Sequence, residues 1–156
     1  MDELFMKEAL KEAKKAEKIG ETPVGAVIVR GGKIIARGYN KRETKKNALC
    51  HAEILAINKA CRHLSGWRLI GATLYVTLEP CPMCAGAIIN SRIERVVFGA
   101  PDKKAGSFGS VVNLGDLPYN HKPEICSGVL EKECSEILTN FFKNLRRLKN
   151  DKMRSF

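Results

Sequence analysis

Apolar and polar positions alternate along the chain with two different periods, one that predicts helices and one that predicts strands. Near the N-terminus, apolar residues recur every three or four positions and predict a helix over 2–19, which Gly20 ends. Val24–Arg30 and Lys33–Tyr39 are β-rich runs separated by Gly31-Gly32, a connection suited to a primed hairpin turn. We therefore expect these two strands to pair antiparallel.

Two polar stretches interrupt the rest of the chain: a charged one from Lys41 to Leu49, and one rich in Gly and Ser from Gly99 to Gly109. Around them the apolar pattern predicts, in chain order, a helix over 51–64, a strand over 73–78, a helix over 81–90, a strand over 95–98, a weak strand over 124–127 and a long helix over 131–148. Alternating strands and helices after an opening hairpin predict an α/β fold, in which helices cover both faces of a mixed sheet.

Length and composition fit one domain over residues 1–156. Of the 156 residues, 44% are hydrophobic, enough to bury one sizeable core. No apolar run is long enough for a signal peptide or a membrane span, so we expect a cytoplasmic protein with no membrane partner. The six cysteines are then expected to be reduced thiols, with Cys61, Cys126 and Cys134 in the core.

The net charge is strongly positive, because 27 Lys and Arg against 17 Asp and Glu give +10. Basic residues concentrate over 41–46, at Lys103 and Lys104, and in the end of the last helix and the tail, about 143–156. This distribution predicts a polyanionic partner, for which nucleic acid is the natural candidate. A solvated basic surface that serves only solubility is the alternative.

Two short motifs carry metal-binding chemistry, a His-x-Glu motif and a Pro-Cys-x-x-Cys motif about thirty residues later. Zinc prefers nitrogen and sulfur ligands, and a catalytic site uses three protein ligands while leaving the fourth position to water. His51, Cys81 and Cys84 supply three such ligands. Glu53 is a carboxylate beside them that can act as the base moving protons. The sequence therefore predicts a catalytic zinc site.

Each motif taken alone is also compatible with a role outside catalysis. A Cys-x-x-Cys pair can be a redox pair, half of a structural zinc ribbon or two core cysteines. No second such pair follows, which argues against a closed site of four thiolates. A histidine beside a glutamate often lies on a helix surface or in a core. Only the combination of the two motifs indicates a catalytic metal.

The predicted elements place both motifs in the first turns of helices. Because Cys81 and Cys84 are three residues apart, they share one face of such a turn. Two thiolates and a neutral imidazole neutralise the ion's charge, which makes it a weaker activator of water than an all-histidine site. Helix N-termini compensate in part, since each carries about half a positive charge and contributes about 0.3 to 2 kcal/mol per contact.

With further segments, these motifs resemble the bacterial tRNA-specific adenosine deaminases of the zinc-dependent cytidine deaminase superfamily, over nearly the whole chain. The zinc motif is common to the superfamily, whereas the segment 106–110, the Asn-His pair and the basic end of the last helix resemble the tRNA enzymes in particular. The matching segments are PVGAV at 23–27, GYN at 38–40, HAE at 51–53, LYVTLEPCPMCAGA at 74–87, SRI at 91–93, GSFGS at 106–110, NH at 120–121 and FF at 141–142.

The resemblance implies a three-layer α/β/α cytidine-deaminase-like fold with a mixed five-stranded central sheet. It also implies a homodimer with one zinc ion per subunit. The implied reaction is hydrolytic deamination of adenosine to inosine at the wobble position of a tRNA anticodon. The usual bacterial substrate is the anticodon stem-loop of an arginine tRNA.

Substrate-binding roles follow from the same resemblance. It implies that Asn40 hydrogen-bonds the flipped nucleoside, that Val24 and Ala52 line the base pocket, and that Glu79-Pro80 presents backbone groups near the metal. The residues that match positions holding the anticodon loop are Asp102, Lys104, Asn120, His121 and Phe142.

Residue chemistry agrees with three of these roles. His121 and Phe142 can stack on splayed bases, and Lys104 can meet a phosphate. Packing is the alternative for Phe141 and Phe142, and at most one of this adjacent pair should face RNA.

Three positions depart from the family pattern. Asn47-Ala48-Leu49-Cys50 stands where the family commonly has Asp-Pro-Thr-Ala, so the entry to the second helix should be shaped differently. Cys50 adds a thiol next to His51, and we expect it to be buried and not a ligand, because adjacent residues rarely bind one ion. Pro101 replaces a more usual polar residue before Asp102, so one contact that this loop makes in the family is not expected to carry over unchanged.

Two other functions fit part of the pattern. A free-base or nucleoside deaminase acting on guanine or cytidine would use the same metal, but a small neutral substrate does not need a basic tail. A non-catalytic, zinc-stabilised RNA-binding module would have the same charge, but it has no use for Glu53 beside an open metal position.

Overall fold

The elements follow the apolar pattern of the sequence closely in the computed structural model, which describes residues 1–155. They are α1 (Asp2–Lys18), β1 (Gly25–Arg30), β2 (Lys33–Tyr39), α2 (Ala52–Leu64), β3 (Ala72–Leu78), α3 (Pro82–Asn90), β4 (Arg95–Ala100), β5 (Glu124–Ser127) and α4 (Glu131–Arg154). A short 3-10 turn, Leu114–Asp116, comes before β5.

The five strands form one mixed sheet in the order β2-β1-β3-β4-β5. β1 is antiparallel to both of its neighbours, whereas β3, β4 and β5 are parallel. The opening hairpin turns at Gly31 and Gly32, whose φ angles are 59° and 75°. Positive φ at both central residues is what a primed two-residue turn requires. The predicted antiparallel hairpin is present.

Alternation along the strands sorts their side chains onto two covered faces. Ile28, Leu74 and Val96 face one side and pack in a core with α2 and α3. Val27 and Tyr75 face the other side and pack with α1 and the start of α4. The predicted three-layer α/β/α fold with a mixed five-stranded sheet is confirmed.

The differences from the predicted boundaries have local causes. α2 and α3 begin one residue later than predicted, because His51 and Cys81 have extended backbones and occupy the N-cap positions. β4 continues through Gly99, where a Cβ atom would collide with the Cys134 thiol, so this glycine marks close packing and not a loop. α4 extends to Arg154, beyond the apolar repeat that ends at Leu148.

The cysteines are unpaired, as predicted, but their burial differs from the prediction at Cys50. All six cysteines are free thiols; Cys134 is buried, whereas Cys61 and Cys126 are half-buried against the two cores. Cys50 is half-buried, so the expectation of a buried side chain there was wrong. Within residues 1–155, none of the helices combines the length and apolar character needed to cross a membrane.

Asp2 attaches the N-terminal helix to the sheet. Its carboxylate accepts two hydrogen bonds from the Arg95 guanidinium, each 2.8 Å, and one of 2.8 Å from the Tyr75 hydroxyl. The hydrogen bonds from Arg95 are the main cause that lowers the pKa of Asp2 from 3.8 to about 2. The first residue of α1 is therefore tied to both β3 and β4.

Asp2→Asn is expected to lower the free energy of unfolding by about 1–3 kcal/mol at neutral pH, since it removes charge-assisted hydrogen bonds. Because the pKa of Asp2 is lower in the folded protein than in the unfolded chain, this stabilisation is complete above about pH 4 and is lost as the pH falls towards 2. Urea unfolding at several pH values measures it. Glu3→Gln, a change at the exposed neighbouring residue, is the control. A difference between parent and variant that stays constant into acid contradicts this account.

Candidate active site

The site forms where the chain leaves β2 and β3 and enters α2 and α3. β2 ends at Tyr39, and α2 begins after His51; β3 ends at Leu78, and α3 begins after Cys81. Gly38 in β2 allows this approach, because a Cβ atom there would collide with the backbone of α2 at Ala52. The N-terminal ends of two helices are thereby brought to one end of the sheet.

His51, Cys81 and Cys84 lie together at this end. Nδ1 of His51 is 3.6 Å from Sγ of Cys81 and 3.6 Å from Sγ of Cys84, and the three atoms lie within 4.8 Å of one another. Tetrahedral zinc, with bonds of about 2.0–2.1 Å to nitrogen and 2.3 Å to sulfur, separates such atoms by about 3.6 Å. The donor types and their spacing therefore fit a zinc ion.

The protonation of the two thiols is coupled. A hydrogen bond from Cys84 is the main cause that lowers the pKa of Cys81 to about 4, and the same pairing raises the pKa of the buried Cys84. The hydrogen bond with Cys81 likewise raises the pKa of His51. A sulfur with thiolate character beside two helix N-termini is the form of cysteine that binds a metal.

Glu53 lies in the first turn of α2, two residues after the histidine. Its side chain is 4% exposed and lines the cavity beside the three ligand residues. Burial is the main cause that raises the pKa of Glu53 to about 7. A carboxyl group with a pKa near neutrality can both accept and release a proton.

A cavity of about 220 Å³ opens next to these residues. It is small beside the roughly 300–1,000 Å³ of pockets that hold drug-sized ligands, so it admits one small flat group and not a folded partner. Five residues expected at the substrate line it, namely Val24, Asn40, Ala52, Glu79 and Asp102. Three lining residues were not predicted, namely Thr22, Leu78 and Ala105. Arg42 also lines the cavity, and it belongs to the basic stretch before the histidine that was expected near the mouth of the site.

Asn40 is buried and already forms hydrogen bonds within the protein. Its Nδ2 donates to the carbonyl of Thr22 at 3.2 Å, and its Oδ1 accepts from the backbone N–H of Arg42 at 3.1 Å. The amide has one further N–H and one further lone pair. The side chain therefore joins the two segments at the cavity and keeps hydrogen-bonding capacity towards it.

Glu79 shapes the loop on the other side of the cavity. Its buried carboxylate accepts hydrogen bonds of 3.1 Å from the backbone N–H groups of Asp102, Phe108 and Ser110, and another from the Ser110 hydroxyl. Burial alone would raise the pKa of Glu79, but these hydrogen bonds outweigh it and lower the pKa. Gly106 is required beside this carboxylate, because a Cβ atom would overlap it.

Some backbone groups of Glu79 and Pro80, which were predicted to face the metal, form hydrogen bonds within the protein. The carbonyl of Pro80 accepts from the Ser107 N–H at 2.9 Å, and the Glu79 N–H donates to the Ala100 carbonyl at 2.8 Å. Asp102 accepts at Oδ1 from the backbone N–H groups of Lys104 and Ala105. It therefore closes the turn in which Lys104 is presented, directly after Pro101.

Four of the residues predicted to hold the anticodon loop, namely Lys104, Asn120, His121 and Phe142, do not line the cavity. The Nε2 atom of His121 is 2.7 Å from the carbonyl of Ile93, just before β4 and therefore at the opposite end of the sheet. Asn120 precedes it and is exposed. Phe142 is 41% exposed on α4, whereas Phe141 is half-buried and meets it edge to face. Contacts of Asn120, His121, Phe142 and Lys104 with RNA stay predictions.

The segment before His51, residues 41–50, is held together by hydrogen bonds between its own residues. Oδ1 of Asn47 accepts from the backbone N–H of Leu49 at 2.9 Å, and the carbonyl of Cys50 accepts from the backbone N–H of Lys41 at 3.1 Å. Among residues 1–155, the group of possible metal ligands contains His51 and not Cys50.

Comparison with known proteins extends the picture over the chain. Residues 1–146 match the family described as MafB19-like deaminase. The tRNA-specific adenosine deaminase of Bacillus subtilis (strain 168) is 59% identical over 149 residues, 95% of this chain and 92% of that protein. A solved structure from a study of A-to-I editing at the wobble position of transfer RNA has a TM-score of 0.84 and 47% identity, covering 86% of this chain and 98% of that chain. Guanine deaminase from Bacillus subtilis is more distant, with a TM-score of 0.61 and 32% identity, covering 76% of this chain and 86% of that chain.

The layered fold, the His-Cys-Cys group and the buried glutamate define an enzyme of the cytidine-deaminase-like class. The expectation of a deaminase from the sequence is confirmed. The chain belongs to the MafB19-like deaminase family and to the tRNA-specific adenosine deaminases.

Proposed function

We propose that this protein hydrolyses adenosine to inosine at the wobble position of a tRNA anticodon. One observation carries the proposal: a buried acid, Glu53, shares a small cavity with His51 and Cys81, and the two loops beside that cavity expose basic side chains. The Bacillus subtilis relative, which is 59% identical to this chain, is named a tRNA-specific adenosine deaminase.

We further propose that His51, Cys81 and Cys84 bind one zinc ion per subunit. The nitrogen and sulfur ligand atoms favour zinc over magnesium, which prefers oxygen ligands, and the 3.6 Å separations between Nδ1 and the two sulfur atoms fit the bond lengths of zinc. When bound, zinc supplies Lewis-acid activation of the water molecule that attacks C6 of adenine.

Glu53 performs the proton transfers. Its carboxylate takes a proton from the attacking water and delivers it to N1 of the base, so that C6 becomes tetrahedral. The carboxylate then takes the proton of the new C6 hydroxyl group and passes it to the amine, and ammonia leaves as the C6 carbonyl of inosine forms. The pKa near 7 suits both directions of transfer.

The cavity residues hold the base out of the stack. Val24 and Ala52 supply apolar walls, and Asn40 supplies a buried amide. A cavity of about 220 Å³ takes only the target base. The nucleotide must therefore be flipped out of the anticodon loop, which costs least where the RNA is already single-stranded.

Basic side chains around the cavity favour the binding of a polyanionic substrate such as RNA. Arg42 lines the cavity, and Lys45, Lys46, Lys103 and Lys104 are exposed on the two loops beside it. The end of α4 adds a second basic surface on its own shallow cleft, formed by Lys143, Asn144, Arg146, Arg147, Asn150, Asp151 and Arg154. We propose that residues 1–156 act as one domain whose basic end holds phosphates away from the catalytic cavity.

Assembly, substrate identity and location extend the proposal. We propose a homodimer, supported by the exposed apolar side chains of Val111, Val112, Leu117 and Tyr119 in the segment after the cavity loop. The anticodon stem-loop of an arginine tRNA is the proposed substrate, and the cytoplasm, where tRNA is modified, is the proposed location.

Guanine deamination is the second candidate, because a guanine deaminase shares the fold at 32% identity. The net charge of +10 argues against it, since a neutral free base gains nothing from this charge.

Product analysis with the purified protein separates the two activities. We expect inosine to form at the first anticodon nucleotide of an arginine tRNA, together with one ammonia per inosine. Free guanine, cytidine and adenosine should release ammonia at least about a hundredfold more slowly, because they lack the phosphates that the basic loops beside the cavity bind. Rapid ammonia release from guanine without inosine in tRNA contradicts the proposed function.

A further inference from the structure

Glu21 is a buried carboxylate that the reaction does not use. It lies between α1 and β1, is 1% exposed, and forms no ion pair within residues 1–155. Its Oε1 accepts a hydrogen bond of 3.1 Å from the backbone N–H of Glu43, and its Oε2 accepts one of 2.7 Å from that of Thr44. Burying a charged group is unfavourable unless hydrogen bonds compensate, and here backbone N–H groups of one loop provide them.

That loop, residues 41–46, is called here the cationic loop. It carries four basic side chains against one acid, and one of the four, Arg42, lines the catalytic cavity. Its backbone is fixed at three successive residues, since Asn40 accepts from the N–H of Arg42 and Glu21 accepts from the next two. The side chains of the loop are mostly exposed, whereas its backbone N–H groups are bound by the buried side chains of Asn40 and Glu21.

A carboxylate is the side chain that suits this task. Both of its oxygens only accept hydrogen bonds, so both N–H groups are satisfied, whereas an amide would direct its own donor at one of them. The negative charge also opposes the mutual repulsion of the four cations. A loop ordered before binding loses less conformational entropy when it meets the ligand than a loop that must be ordered by it.

We propose that Glu21 is a positioning residue for RNA binding, which holds the cationic loop so that Arg42 and its neighbouring lysines meet the phosphates around the target nucleotide. The inference rests on the proposed function. It assigns to Glu21 a part in substrate affinity, exerted through the loop and without contact with RNA, metal or base.

Glu21→Gln tests the inference in the full-length, metal-loaded protein with an anticodon stem-loop RNA as the probe. We expect KM to rise about tenfold and kcat to stay within about twofold. The slope of log KM against log salt should become shallower by the amount that corresponds to the loss of about one phosphate contact. Glu12→Gln is the matched control, because Glu12 is equally buried at 2% exposed but pairs with Lys15 and Arg37, away from the loop. It should leave KM unchanged.

A double-mutant cycle asks whether Glu21 acts through the loop. In the Lys45→Ala/Lys46→Ala background, Glu21→Gln should raise KM by clearly less than in the parent, because fewer cations remain to be positioned. Full additivity overturns the inference. So does a Glu21→Gln variant that melts at a lower temperature but keeps the KM of the parent.

Glu21→Asp provides the same test if the Gln variant does not fold. It keeps the charge and both acceptors but withdraws them by one methylene, so KM should rise while metal content and kcat stay as in the parent; an unchanged KM overturns the inference. If the parent edits tRNA, that result leaves the proposed function intact. A parent protein that makes no inosine in tRNA overturns both.

Discussion

Glu53→Gln is expected to abolish inosine formation in tRNA while leaving zinc content and tRNA affinity unchanged. Positioned acid-base catalysis contributes about a hundredfold to ten-thousandfold. Here one carboxylate serves both the attack of water and the departure of ammonia, so the loss should reach or exceed the upper end of that range. Single-turnover measurement of inosine, with tRNA binding measured separately, checks the prediction.

The Gln variant is a sharper test than Glu53→Ala. Glutamine keeps the size of the buried side chain and some of its hydrogen bonds, but it cannot carry a proton between water and the base. Alanine also opens a hole beside the cavity, since Glu53 is 4% exposed. A Gln variant that makes inosine at nearly the parent rate would show that the proton transfer assigned to Glu53 is wrong, even if the zinc site is right.

Cys81→Ser is expected to lower the zinc content of the purified protein well below one ion per chain and to remove activity with it. The serine hydroxyl stays protonated at neutral pH and is a far poorer zinc ligand than a thiolate, so affinity should fall by more than the roughly 10–100-fold typical of changes to residues that only support the ligands. Elemental analysis after dialysis measures the loss.

Cys50→Ser is the control for this experiment, because Cys50 adjoins His51 but does not belong to the group of possible ligands. It should keep full zinc and full activity. Retention of zinc by the Cys81→Ser protein, or its loss from the Cys50→Ser protein, would contradict the proposed set of three ligands.

The fold could be predicted from the sequence because its signals are local. The period of apolar residues marked four helices and five strands, and the Gly31-Gly32 pair marked the hairpin. The prediction of a loop at Gly99 was wrong, since a glycine that admits a neighbouring thiol has the same sequence signal as a glycine that bends the chain. Only the position of Cys134 in space distinguishes the two.

The candidate site could be predicted only as far as its motifs reach. His51, Cys81 and Cys84 stand in short motifs with a chemical reason for their spacing. The roles of Glu21 and Glu79 were out of reach, because each depends on backbone N–H groups more than 20 residues away in the chain, at separations of 23 for Glu21 to Thr44 and 31 for Glu79 to Ser110. Neither the periodicity nor the composition of the sequence indicates that these distant residues form hydrogen bonds.

The hairpin turn also offers a place to attach other molecules. β1 runs away from the cavity for six residues, so Gly31 and Gly32 lie about 20 Å from the catalytic end of the sheet, at a rise of about 3.3 Å per residue. Both glycines are exposed with open space around them, and because their positive φ angles favour glycine, an insertion in the turn suits the fold better than a substitution of either one. A fluorophore, an affinity tag or a second protein joined at this turn would report on the enzyme or recruit it without blocking the entry of RNA.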